Sequence, residues 1–459
     1  MCESLTDWRS PGHVQQMRLT SSRSEGARRR RVRPLAILPF CAGLAFAACA
    51  ADGPHASADE IERAKQLYTA CVEDELGLEL ERLEITASGD IDVAFKPGTS
   101  ERDQARAVAI CEPRIGSVLE PNGVSVLGPP KNLGRPASDA ELDALLAERV
   151  RLGFEGAILV DAAGVRRVEA GYGQLALDSG VAPDPQTAFD CGSIMKDVTA
   201  AAIFLLEQDG ALTRQQLLSD FFPQLPSVWS AATVDQLISH RAGFGEYHDT
   251  QGDFEPMDRG QALTTIFAQQ PLFPPGTDTA YSNSGYTLLA ALIEQVSGDD
   301  YRSFVRKRIF EPLGMQRSGF YGEPLWADGN VAVGRGADEY AGNNPARWPA
   351  TSWALMGNGG LVSTLEDLLR FARARDADGL FQSATRAAWR RAQSAGSIAG
   401  RAVSGAAGGN DFGFDAVVIQ VPDDATYVVA ASHVLAAVNA EILGVELVQA
   451  LYGAEIELP

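Results

Sequence analysis

CGSIMKDVTAAAIFLLEQDG, residues 191–210, sets a serine and a lysine three positions apart at the head of an apolar run. Ala200, Ala201, Ala202, Ile203, Phe204, Leu205 and Leu206 leave no polar face, and Asp209-Gly210 is a helix stop. The run is too short to cross a bilayer, so it reads as a helix buried inside a large domain. Residues three apart on a helix share a face, which points Ser193 and Lys196 the same way. A lysine at the mouth of a buried helix is costly unless something there uses it. A serine hydroxyl is a poor nucleophile until a base takes its proton. The five histidines (His13, His55, His240, His248, His433) offer no obvious triad, and no Gly-x-Ser-x-Gly elbow surrounds Ser193. A lysine one turn along can serve as base when burial and neighbouring cations keep it neutral part of the time. The helix N-terminus adds positive potential where an oxyanion forms. Alone, Ser-x-x-Lys is a weak signal.

TAYSNSGYTLLAALIEQVSG, residues 279–298, supplies a second element. Tyr281 can relay a proton if an adjacent lysine lowers its pKa. Asn283 can donate to a substrate carbonyl and accept from Lys196. Taken singly, the pair reads as a loop tyrosine and an asparagine helix cap.

Together with FDCGSIMKDVTAAAI, VDQLISHRAGF, FVRKRIFEPLGM and GNGGLVSTLEDLLRFA, in that family's order, these segments resemble the serine β-lactamase and penicillin-binding protein superfamily. The nearest branch is the class C β-lactamase-like one of hydrolases, esterases and D-amino-acid peptidases, and the resemblance covers residues 139–455. It implies that Ser193 is acylated, that Lys196 and Tyr281 share the proton work, and that Asn283 helps hold the substrate amide. No metal or cofactor is implied. The family's third element, Lys or His followed by small residues on a strand, departs from pattern in SGAAGGNDFGF, residues 404–414. Counting back from Gly413-Phe414 puts Ala407 at the Lys/His position, followed by Gly408, Gly409 and Asn410. Gly409 and Asn410 are then substrate-binding candidates, with the Asn410 N–H joining that of Ser193 as oxyanion donor. Ser404 is no cation either. His240 matches a family position that reads as structural, Cys191 reads as a small core residue, and Glu246, Tyr247 and Asp249 read by default as solvated loop residues, with lining the cleft as the alternative.

The chain has 459 residues and a formal net charge of −21, which disfavours nucleic acid and anionic membrane surfaces as partners. Residues 1–50 hold eight arginines and three acids, leaving −26 on the remainder. ARRRRVR followed by PLAILPFCAGLAFAACA reads as a secretory signal. Cleavage after Ala47 or Ala50 fits, and a lipid anchor at Cys49 is the alternative; no membrane span is expected in the mature chain.

Residues 51–119 read as a small α-β-β-α domain. One helix carries Ile61, Ala64, Leu67, Tyr68 and Cys71 on one face, a hairpin turns at Ser88-Gly89-Asp90, and a second helix presents Ala105, Val108 and Cys111. A Cys71–Cys111 disulfide would staple the two helices, two buried free thiols being the alternative, with Cys191 left over. Residues 120–138, rich in Pro and Gly, read as a linker. From 139 to 459 the layout is α/β (α+β). Strands at both ends of that stretch form an antiparallel sheet flanked by helices, and a mostly helical domain is inserted between them. The expectation is an exported, periplasmic or secreted serine hydrolase acting through a Ser193 acyl-enzyme on a small ester or amide. The rival expectations are a D-amino-acid peptidase or β-lactamase anchoring its carboxylate elsewhere, at Arg347 for instance, and a penicillin-binding sensor or pseudoenzyme.

Overall fold

GAILVDA, DAVVIQV and TYVVAAS carry almost no polar side chains, which suits strands covered on both faces. The computed structural model describes residues 58–69, 72–73, 78–85, 91–96, 99, 135–246, 253–338, 340–376, 379–392, 395–436 and 438–454. Helix α1 (Ala58–Thr69) precedes the antiparallel hairpin of β1 (Leu80–Ile85) and β2 (Ile91–Phe95). Cys71, Cys111, the leader and most of the linker lie outside the described residues. Helix α2 (Asp139–Arg151) starts at a reciprocal capping box between Ser138 and Glu141. Strands β3 (Gly156–Ala162) and β4 (Val165–Tyr172) turn through Ala163 and Gly164, both at positive φ.

The middle of the chain opens with β5 (Phe189–Asp190), a single 3-10 turn (Gly192–Ile194) and helix α3 (Met195–Gln208). Helices α4 (Arg259–Phe267) and α5 (Asn283–Ser297) follow, then β6 (Gly319–Phe320), β7 (Leu361–Ser363), α6 (Leu365–Asp376) and α7 (Ser383–Ala392). The sequence suggests mostly helix and loop here. The structure adds a three-stranded antiparallel sheet, ordered β5-β7-β6. Its strands are two or three residues long, too short for a period-two pattern to register.

The chain then returns to the main sheet through β8 (Ala395–Ile398), β9 (Arg401–Gly409), β10 (Asp415–Val421) and β11 (Thr426–Ser432), and ends on helix α8 (Ala440–Leu451). The order β4-β3-β11-β10-β9-β8 seats the N-terminal hairpin beside the C-terminal strands. Alternation divides each strand between two cores. Ile158, Val160, Val417, Ile419 and Val428 pack with α2 and α8, whereas Leu159, Val418 and Val429 pack on the side of α3 and α5. In α3, Ile203, Phe204, Leu205 and Leu206 are all buried, each worth roughly 1.5–3 kcal/mol of transfer free energy.

One buried charge ties these layers together. The Arg375 guanidinium of α6 pairs with Asp197 of α3 and reaches Gln420 of β10 at 3.4 Å. Breaking a buried pair leaves its partner uncompensated, so Arg375→Ala is expected to destabilise the fold by about 3–5 kcal/mol in urea denaturation. Adding Asp197→Ala should return part of that loss; a double variant less stable than Arg375→Ala would disprove the pairing account.

Candidate active site

The turn between β5 and α3 delivers the serine. Gly192 adopts φ +45°, and a Cβ there would lie 2.8 Å from the backbone nitrogen of Gly409, so only glycine fits. The Ser193 Oγ stands 2.7 Å from the Tyr281 hydroxyl and accepts from Lys196 Nζ at 3.0 Å. Lys196 is buried, donates to the Asn358 carbonyl at 2.7 Å, and sits 4.7 Å from the Tyr281 ring centroid. The structure thus brings together Ser193, Lys196 and Tyr281. The Asn358 carbonyl belongs to GNGG, residues 357–360, a segment singled out by resemblance only. A backbone acceptor leaves no mark on residue identity, so its contact with Lys196 was not readable from sequence.

Ser282, not Asn283, caps α5: its hydroxyl accepts from the Gly285 N–H at 2.9 Å. Asn283 is the first helical residue, half-buried beside Tyr281, and its backbone N–H donates to Glu246 Oε1 at 2.9 Å. Tyr247 and Asp249 lie outside the described residues. The His240 ring stacks on that of Tyr281 with centroids 4.8 Å apart. Its Nδ1 accepts the Ser282 N–H at 3.1 Å. Burial, reinforced by the nearby Lys196 charge, pushes its pKa down to about 3, so the imidazole is neutral and braces Tyr281.

Strand β9 corrects the expected register. Ala407 lies opposite Val417 and packs with α2 and α8, on the face turned away from Ser193. Ala406, opposite Val418, packs on the serine side. Gly408 touches the serine turn: a Cβ there would come within 2.4 Å of the Ser193 nitrogen. Ala406 therefore takes the position expected for Ala407, and the missing cation is missing in either register. Asn410 is also displaced from its expected part, because its N–H donates to the Phe414 carbonyl across the strand pair at 2.9 Å. Successive strand N–H groups face opposite edges. That of Gly409 consequently faces the open edge, beyond Ser404 where β8 stops pairing. Arg347 is exposed on a 3-10 turn (Pro345–Arg347). Half-buried Asp253 feels Lys196 electrostatically; burial first, then the Asp411 carboxylate, raise its pKa to about 6.

A sequence profile of the Beta-lactamase family matches residues 142–440. The chain belongs to this family. Penicillin-binding protein 4* of Bacillus subtilis (strain 168) is 28% identical over 213 residues, 43% of this chain and 47% of that one. The teichoic acid D-alanine hydrolase of Staphylococcus aureus (strain MRSA252) is 27% identical over 170 residues, 37% of this chain and 42% of the relative. Each match thus spans under half of the relative's own length. The class C β-lactamase of Rhodobacter sphaeroides superposes with a TM-score of 0.55 at 18% identity, over 68% of this chain and 98% of that chain. The fold and the superfamily of serine β-lactamase and penicillin-binding protein-like hydrolases are therefore established for this β-lactamase-family chain. Among the described residues no helix is long and apolar enough to cross a membrane, and no cluster of His, Cys, Asp or Glu is arranged to hold a metal ion.

Because the atoms met by a Cβ on Gly408 are all backbone, at 2.3–2.9 Å, Gly408→Ala must displace the serine turn. The variant is expected to react with a serine-directed fluorophosphonate at least about 100-fold more slowly, the order of cost of a 1 Å misplacement. An unchanged rate would disprove the close approach of β9 to the turn.

Proposed function

We propose that the protein is an exported serine hydrolase that acts through an acyl-enzyme on a small, uncharged ester or amide. The observation that carries this reading is Ser193 Oγ within hydrogen-bond distance of both the Tyr281 hydroxyl and Lys196 Nζ. In the reading, the Ser193 proton passes to the Lys196–Tyr281 pair as Oγ attacks the carbonyl carbon. The N–H groups of Ser193 and Gly409 stabilise the oxyanion. The proton then goes to the leaving alcohol or amine as its bond to the carbonyl carbon breaks. A water, deprotonated by the same pair, cleaves the acyl–Ser193 ester and returns the serine. Asn283, at the start of α5, is assigned to the substrate amide or carbonyl. Export rests on the basic and apolar leader, and a Cys71–Cys111 disulfide belongs to the same reading.

Ser193→Ala is expected to abolish fluorophosphonate labelling and hydrolysis, and Lys196→Ala to leave little turnover at neutral pH with the fold intact. Full activity of Ser193→Ala would sink the mechanism, and acylation without release would make the protein a sensor.

Preference for an uncharged substrate rests on Ala406 and the acids Asp253 and Asp411. A carboxylate without its cationic partner loses a charge-assisted hydrogen bond, about 1.5–3 kcal/mol, or roughly ten- to hundredfold in binding. The wild type should favour a neutral ester over its carboxylate-bearing analogue or discriminate little, read as the ratio of kcat/KM. Ala406→Lys should shift that ratio toward the charged ester, whereas Ala407→Lys, facing the other core, should not. A wild type already favouring the charged ester tenfold would return the lead to the peptidase or β-lactamase reading.

A further inference from the structure

One buried carboxylate, outside the proton-transfer trio, holds both walls of the oxyanion site. Asp190 lies three residues before Ser193 at the end of β5 and is fully buried. Its Oδ1 accepts the Gly192 N–H at 3.1 Å, and its Oδ2 accepts the Tyr321 hydroxyl at 2.7 Å. The same Oδ2 accepts the side-chain amide of Asn410. Asn410 is itself pinned, because its Oδ1 accepts the N–H groups of Phe412 at 3.1 Å and Phe414 at 3.3 Å. The two N–H groups aimed at the oxyanion, those of Ser193 and Gly409, are each one residue from a group that Asp190 grips.

We propose that Asp190 is a positioning residue that, through Gly192 and Asn410, sets the spacing and aim of the Ser193 and Gly409 N–H donors. The proposal rests on the reading of Ser193 as nucleophile given above. Its chemistry is selective: burial raises the Asp190 pKa to about 7, and above that pH the ionised carboxylate is acceptor-only and matches three donors, whereas an amide turns a donor toward at least one of them. Loss of one oxyanion donor lowers kcat by roughly 10²–10³-fold. Because the oxyanion forms only as bonds change, the effect belongs in kcat rather than in ground-state binding.

The test uses the full chain, a neutral aryl ester and a fluorophosphonate, at a pH well above the Asp190 pKa of about 7. Asp190→Asn should lower kcat by about 30- to 1000-fold and leave KM within about threefold. The rate of phosphonylation should fall in parallel, because that reaction fills the same oxyanion position. The exchange Asp190→Asn with Asn410→Asp lets the amide at 190 donate to a carboxylate at 410, which still accepts from Phe412 and Phe414. It should recover at least about tenfold of the lost kcat, a rescue that mere destabilisation does not predict. If circular dichroism shows Asp190→Asn unfolded, Asn410→Ala replaces it, with the same split between kcat and KM expected. A kcat within threefold of wild type in the folded single variant, or no rescue in the exchange, overturns the positioning role. Retention of labelling in Ser193→Ala instead overturns the nucleophile reading, so the two failures are distinct.

Discussion

A lysine ammonium with only 6% of its surface exposed is the constraint around which this site is assembled. Burying a charge is tolerable only where acceptors replace water. Lys196 finds them in the Ser193 hydroxyl and the Asn358 carbonyl, while the Tyr281 ring lies against it. Each partner comes from a different part of the chain: the serine turn, the loop before β7 and the approach to α5. The Asn358 loop is itself locked, since the Asn358 amide donates to Thr287 of α5 at 2.8 Å and the Gly357 carbonyl accepts from Thr199 of α3. Moving α3 against α5 would therefore strip the ammonium of its acceptors. Satisfying one cation thus constrains where Ser193, the Tyr281 phenol and the Asn358 loop stand relative to one another.

Much of this was legible in the sequence where a residue type had a single physical explanation. An all-apolar run after Ser193 has to be a buried helix, and Asp161-Ala-Ala-Gly164 between two apolar runs has to turn; both occur where expected. The two cores separated by the main sheet follow from strands that are apolar on both faces. Legibility stopped at β9. In SGAAGG every side chain is small, so no alternation marks which residues face the serine and which face α8. Only pairing with β10, where Val417 and Val418 visibly belong to different cores, assigns Ala407 to one face and Ala406 to the other. A one-residue slip reverses faces, and that slip also moves the strand N–H that faces the open edge from Asn410 to Gly409.

The remaining invisible features are contacts made by backbone atoms or between distant residues. Asp190 reads as an ordinary polar residue before a motif, until Tyr321 and Asn410 converge on it from 131 and 220 residues away. His240 reads as structural and is so, yet its role is specific: its ring backs Tyr281, and its unprotonated Nδ1 holds the first turn leading into α5. With its pKa near 3, this imidazole cannot supply a charge change at neutral pH. The ionisations that do fall there belong to carboxylates, with Asp190 pushed to about 7, chiefly by burial, and Asp253 to about 6.

That balance of charge bears on what the cleft can hold. Lys196 directs donor hydrogens at the Ser193 hydroxyl and the Asn358 carbonyl, which in the proposed reading leaves it poorly placed to anchor a substrate anion as well. Ala406 offers no replacement, and Asp253 with Asp411 places negative charge nearby. Beyond the site, the −26 carried by residues 51–459 repels anions over distances set by the Debye length. In the proposed reading a carboxylate-bearing substrate therefore meets repulsion on approach and no cation at position 406 on arrival. In the same reading a neutral acyl group meets neither difficulty, and its carbonyl is served by the Ser193 and Gly409 N–H groups, whose supply needs no cationic side chain.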